Sequence, residues 1–100
     1  MRVIWAPRAI ARATEIGAYI AAERPDSARR WVEALFALTA GLRRHPRAGR
    51  KVPEAGRDEL RQVLHGKYRV IYRIERTRLV VLTVRHCRRA WDPAEVMPDA

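Results

Sequence analysis

Hydrophobic and polar positions divide the chain into one short strand, two helices and three further strands. The run Arg2-Val3-Ile4-Trp5-Ala6 is β-branched and aromatic and is stopped by Pro7, which predicts an N-terminal strand. Pro7 also suits the first turn of a helix. Behind it Ile10, Ala13, Gly17 and Ile20 recur at steps of three and four, while Arg8, Arg12, Glu15 and Glu23 fall on the other side. Arg24-Pro25 ends that helix. Asp26 is the predicted cap of a second one, with Ala28, Trp31, Leu35, Leu38 and Leu42 as its apolar stripe and Arg29, Arg30, Glu33 and Arg43 outside. A link as short as Pro25-Asp26 makes the two an antiparallel hairpin. Each larger stripe residue contributes roughly 1.5–3 kcal/mol if fully buried, before ordering costs, so the hairpin needs a further layer to form a core.

Residues 45–53 carry two prolines and a glycine with no helical period, which predicts a loop. Arg43, Arg44, Arg47, Arg50 and Lys51 have no acid among them, and the segment reads either as a solvated loop or as an anion-facing rim. Three strands follow, over 59–65, 68–75 and 79–86, separated by Gly66-Lys67 and Arg76-Thr77-Arg78. In the middle strand Tyr68, Val70, Tyr72 and Ile74 alternate with Arg69, Ile71, Arg73 and Glu75. A three-residue loop at 76–78 sets Val80, Leu82 and Val84 on the Tyr68 side and makes that face wholly apolar, whereas a two-residue loop would bring them beside Arg69 and Arg73. A three-residue loop at 65–67 likewise puts Leu60 and Leu64 on the apolar face, together with Gln62. The other face then collects Arg61, Arg69, Arg73 and Arg85. One face is thus expected to carry the helices and the other to meet an anion. Beyond His86 the chain is basic again, with Cys87-Arg88-Arg89 before Trp91, and Asp92 and Pro93 suit the start of a short helical turn over 92–96. Trp91 either packs back on the sheet edge or joins the contact surface.

Composition narrows what such a fold can do. One hundred residues at 48% hydrophobic make a single domain, 1–100, with 87–100 as a basic tail. The formal charge of +10 points to an anionic partner, and all the basic residues but Lys51 and Lys67 are arginines, the better forks for phosphate and carboxylate. Arginine bias also follows from GC-rich coding. The single Cys87 excludes an internal disulfide, and the histidines at 45, 65 and 86 lack metal-ligand spacing, so neither a metal nor a cofactor is expected. No apolar run approaches a membrane span and the start lacks a signal peptide, so a cytoplasmic protein without a membrane partner is expected.

The order strand, helical hairpin, basic Pro/Gly loop, three antiparallel strands and basic tail, with its local motifs, resembles the RelE/ParE superfamily of type II toxin–antitoxin toxins, and within it the ParE-like, plasmid-stabilisation branch. The motifs are Trp5-Ala6-Pro7-Arg8-Ala9, the helix junction Ile20-Ala21-Ala22-Glu23-Arg24-Pro25-Asp26-Ser27-Ala28, Leu42-Arg43-Arg44-His45-Pro46-Arg47-Ala48-Gly49-Arg50, Tyr68-Arg69-Val70-Ile71-Tyr72-Arg73-Ile74 and Val84-Arg85-His86-Cys87-Arg88-Arg89. The resemblance implies an α+β fold, β-α-α-β-β-β, with the hairpin on one face of a small, mainly antiparallel sheet. It implies a cognate ParD-like antitoxin, acidic or amphipathic, in a hetero-oligomer, and DNA gyrase as the target bound without catalysis.

The ribonuclease branch implies the alternative, a ribosome-dependent mRNA endonuclease. Arg69 matches that branch's strand arginine and Arg61 lies near its lysines, but Cys87 stands in the place of a second catalytic arginine and Pro93 in that of an aromatic. His86 suits a general base by its ordinary pKa, yet the expected register turns it to the apolar side. The expected contact set for target or antitoxin is therefore Arg61, Arg69, Arg73, Arg85, His86, Arg88, Arg89 and Trp91, with no catalytic residue assigned. Charge alone also allows a plain nucleic-acid-binding module, for which the expected sheet offers no aromatic platform. Ile16, Tyr19, Val32 and Phe36, on the flanks of the hairpin, are candidates for covering by an antitoxin helix.

Overall fold

In the computed structural model, which describes residues 1–93, strand β1 (Arg2–Trp5) leads through Ala6 into helix α1 (Pro7–Ala21) and then helix α2 (Pro25–Gly41). Pro7 occupies the first turn of α1 as expected. The junction differs from expectation: Pro25 is already helical, Arg24 is the cap, and no side chain caps the helix. Asp26 sits instead in the first turn, where its charge suits the helix dipole and its Oδ1 accepts from Arg29 at 3.2 Å. The link is therefore 22–24.

Past α2 a short 3₁₀ turn (Pro46–Ala48) leads into β2 (Arg50–Lys51), β3 (Leu60–His65), β4 (Tyr68–Ile74) and β5 (Arg78–His86). The five strands lie in the order β1-β5-β4-β3-β2, with β1 parallel to β5 and the other pairs antiparallel. The α+β architecture expected from the sequence is thus present, with one strand more. Two-residue β2 falls in the segment read as a loop, because its prolines and glycine hide a strand too short to show alternation.

Strand register departs from expectation at two places. His65 pairs with Tyr68 across a two-residue turn, with Gly66 at φ +60°, the glycine-first geometry of a type II′ turn. Leu60, Gln62 and Leu64 therefore lie on the side away from the helices, opposite Arg73, Ile71 and Arg69, and Arg61 faces the helix side beside Tyr72. Between β4 and β5 the expected register holds from Tyr68↔His86 to Ile71↔Thr83. A β-bulge at Leu82 then shifts it by one, giving Tyr72↔Val81 and Ile74↔Leu79. Val84 meets the helices as expected, whereas Val80 and Leu82 are on the opposite side and Leu79 and Val81 replace them. The reason is that 79–84 is buried on both faces, and such a strand carries no alternation from which to read a register.

Two apolar layers result. Between sheet and helices lie Ala9, Ala13, Leu35, Leu42, Val70, Tyr72, Leu79, Val81 and Val84. The other sheet face is not an open basic surface: Val52, Leu60, Ile71, Val80 and Leu82 form a second cluster, closed by Trp91 at 2% exposure. The loop is tied on through Tyr72, whose buried hydroxyl donates to the Pro46 carbonyl at 2.6 Å and accepts from the Gly49 N–H at 3.0 Å. At Gly49 a Cβ would stand 2.5 Å from the Gln62 carbonyl oxygen and 2.6 Å from the Tyr72 hydroxyl. Gly49→Ala is therefore expected to destabilise the fold by about 1–3 kcal/mol through this overpacking, read as a lower urea midpoint at unchanged m-value.

Candidate functional site

The basic residues expected on one face are divided among three environments. Arg61, on the helix side, donates to the Gly49 carbonyl at 3.1 Å and to Asp58 Oδ1 at 2.6 Å, bracing the loop. Asp58 also pairs with Arg47, so the loop cluster is partly neutralised, and these two guanidinium groups hold its carboxyl below the usual range.

Arg69 is the centre of the second environment. Its side chain is 7% exposed and it donates to both oxygens of Glu54, at 2.9 and 2.6 Å, to the Gln62 side chain at 3.0 Å and to the Arg89 carbonyl at 2.8 Å. Glu54 Oε2 also accepts from the Trp91 backbone N–H at 3.0 Å. One buried guanidinium thereby joins the loop, β3 and the tail. The Arg69 hydrogen bonds, with help from Trp91, hold the Glu54 carboxyl at about 2 despite partial burial. Gln62, out of place on an apolar face, is at home as a partner of Arg69. Nearby, Arg73 is buried at 8% exposure and pairs with Glu75 at 2.6 Å, which Arg78 also binds. Together they depress the Glu75 carboxyl. Arg69, Arg73 and Trp91, three of the expected contact residues, thus have their side chains enclosed in this conformation.

The third environment is open. Strand β1 ends at Trp5, opposite Val81, so among the described residues β5 runs on to His86 without a paired strand on that side, and α1 passes alongside. Between them lies a groove of about 700 Å³ bearing Arg8, Arg12, Arg85 and Arg89 and, among the described residues of its lining, one carboxylate, Glu15. Glu15 is engaged by Arg12, whose Nη1 donates to Oε2 at 3.1 Å. Among the described residues Arg85 and Arg89 have no acidic partner, and the Arg85 Nε is shut from water without an acceptor. His86 packs edge-on against Tyr68 at 5.4 Å, and its Nδ1 accepts from the Arg88 N–H at 3.1 Å. Tyr68 continues to Trp31 at 5.5 Å, and Trp31 to His65 at 5.2 Å, where the His65 Nε2 meets the Trp31 carbonyl at 3.0 Å. His86 thus ends an aromatic row beneath the helices, as its expected orientation required.

Of the expected contact set, Arg85, His86 and Arg89 line this groove, and Arg88 is exposed beside it. Arg8, Arg12 and Tyr19 belong to it but are absent from the expected set. Their spacing was the signal: 8, 12, 15 and 19 fall on one face of α1, although Arg8, Arg12 and Glu15 are expected opposite the apolar stripe and Tyr19 on a flank for an antitoxin helix. The expected helical turn over 92–96 extends beyond the described residues. No helix among the described residues is long and apolar enough to cross a membrane.

Comparison with known proteins places this geometry. The sequence profile of the family described as ParE toxin of type II toxin-antitoxin system, parDE, matches residues 3–91. Y4kP of Sinorhizobium fredii, named as a candidate toxin, is 36% identical over 90 residues, covering 90% of this chain and 92% of its own. Among solved structures, one described as a chromosomal ParDE system from P. aeruginosa superposes with a TM-score of 0.73 at 16% identity, over 86% of this chain and 95% of the other. A chain of the RelBE2 toxin–antitoxin complex from Mycobacterium tuberculosis gives 0.62 at 24% identity, over 85% and 95%. The fold is that of these toxins, the aligned residues span nearly the whole chain, and the protein belongs to the ParE toxin family of type II toxin–antitoxin systems.

Proposed function

We propose that this toxin arrests growth in the cytoplasm by binding DNA gyrase, without catalysis, and that a cognate ParD-like antitoxin neutralises it in a hetero-oligomer. The observation that carries the choice of binding over cutting is the state of Arg69. This is the residue that matches the strand arginine of ribonucleolytic relatives, and every described donor bond it makes goes to the protein itself, at 7% exposure. A guanidinium so enclosed does not reach a phosphate without dismantling the loop and tail around it. His86 is in a similar position, its ring held against Tyr68 and its Nδ1 accepting from the backbone.

For the antitoxin, the helical hairpin offers exposed apolar surface at Ile10, 53% exposed, and Phe36, 50% exposed with its ring tilted against Trp5 at 4.9 Å. An amphipathic helix laid there, with acidic residues toward the arginines, fits both apolar and charged features. The target is tested with purified toxin and gyrase. At micromolar toxin, loss of supercoiling and accumulation of cleaved DNA are expected. Unchanged supercoiling and cleavage would refute gyrase as the target.

A further inference from the structure

We infer that the groove between α1 and the free end of β5 is a binding site for single-stranded nucleic acid, separate from the enclosed Arg69 centre. Four arginines, Arg8, Arg12, Arg85 and Arg89, border it, and among the described residues of its lining Glu15 is the one carboxylate. Arg85 and Arg89 lack acidic partners among the described residues, so an incoming anion displaces no ion pair at either. Charge by itself suits an acidic peptide as well as a phosphodiester; the rest of the lining decides between them. Val84 is 1% exposed and Ile16 is half-buried, so the groove offers little aliphatic surface to anchor a peptide. It offers Tyr19 instead, 80% exposed on the same face of α1 as Arg8 and Arg12, with the Tyr68–His86 ring pair further in. Arginines that follow a backbone beside an exposed aromatic on which a base stacks are the two parts of a single-strand site. The aromatic platform comes from the helix rather than the sheet, through Tyr19.

The inference does not depend on gyrase being the target, since it is read from direct binding. Purified full-length toxin is titrated into fluorescein-labelled oligothymidylate and, in parallel, oligouridylate, and anisotropy is followed over a range of salt. Binding of either strand is expected, the tighter one identifying DNA or RNA as the preferred source of phosphate. Tyr19→Ala, at a site too exposed to matter for folding, is expected to weaken binding about fivefold or more. Arg89→Ala should reduce the slope of log affinity against log salt by about 0.7, one phosphate contact on a single strand. Arg43→Ala, in the basic segment after α2, should change affinity less than either. The inference fails if no binding is seen at low salt. It also fails if Tyr19→Ala binds like the parent, if Arg43→Ala matches the groove variants, or if polyglutamate of equal charge competes as well as unlabelled oligonucleotide.

Discussion

Glu54→Gln is expected to destabilise the toxin by about 3 kcal/mol, a fall in Tm of about 10–20 °C for a chain of this size. The substitution keeps the shape and removes the charge facing Arg69, whose side chain is 7% exposed and has no other carboxylate partner among the described residues. An uncompensated buried guanidinium costs far more than a lost surface pair. The lower end of the range for buried pairs applies because the Glu54 side chain is itself 27% exposed, which lets water reach it. The sign with pH follows from a folded pKa below the unfolded one. Glu54 titrates from 4.5 in the free group to about 2 in the fold, so its contribution is complete above about pH 5 and is lost as pH falls toward 2. The gap between parent and Glu54→Gln should therefore be widest near neutrality and close over that acid window. In a double-mutant cycle with Arg69→Met the coupling should exceed about 1 kcal/mol. A pH-independent gap, or coupling near zero, would show that the pair does not hold the loop and tail.

Trp91→Ala carries the second large effect, about 3–5 kcal/mol by chemical denaturation. The indole is 2% exposed and closes the cluster of Val52, Leu60, Ile71, Val80 and Leu82, so its loss opens that face of the sheet to water. Trp91→Phe is the informative control. It keeps a ring over the cluster and removes an indole N–H that has no acceptor among the described residues, so it should cost much less than alanine. Equal losses in the two variants would mean that the aromatic ring is not what seals the face.

These two residues also show how far the sequence alone carries. Trp5 followed by Pro7, the helical stripes and the strands around Gly66 were legible because each depends on local periodicity or on a turn residue. The environment of Arg69 was not. Its partners Glu54, Gln62 and the Arg89 carbonyl come from three separate segments, and no local pattern distinguishes a buried guanidinium from one on a basic face. Gln62 was the clue, since a glutamine amid apolar positions requires a polar partner on its own face. The sides taken by Val80 and Leu82 were hidden for another reason: a bulge displaces the register of a strand apolar on both faces, and no alternation marks the slip. The groove was half legible, with Arg85, His86 and Arg89 in the expected set, Arg8 and Arg12 attributed to the polar side of the first helix and Tyr19 to a flank covered by an antitoxin.

The division of the basic residues bears directly on function. Arg69 and Arg73 stabilise the fold, Arg61 braces a loop, and Arg85 and Arg89 lie open in the groove at the end of β5. This division is what the proposed binding of gyrase without catalysis requires. The most direct measurement is the linking-number distribution of a plasmid recovered from cells shortly after the toxin is induced. Loss of negative supercoils within the first generation is the expected result, prevented by co-expression of the cognate antitoxin. Unchanged plasmid topology in cells whose growth has already stopped, together with codon-phased mRNA ends that disappear in Arg69→Ala, would contradict a gyrase-binding toxin.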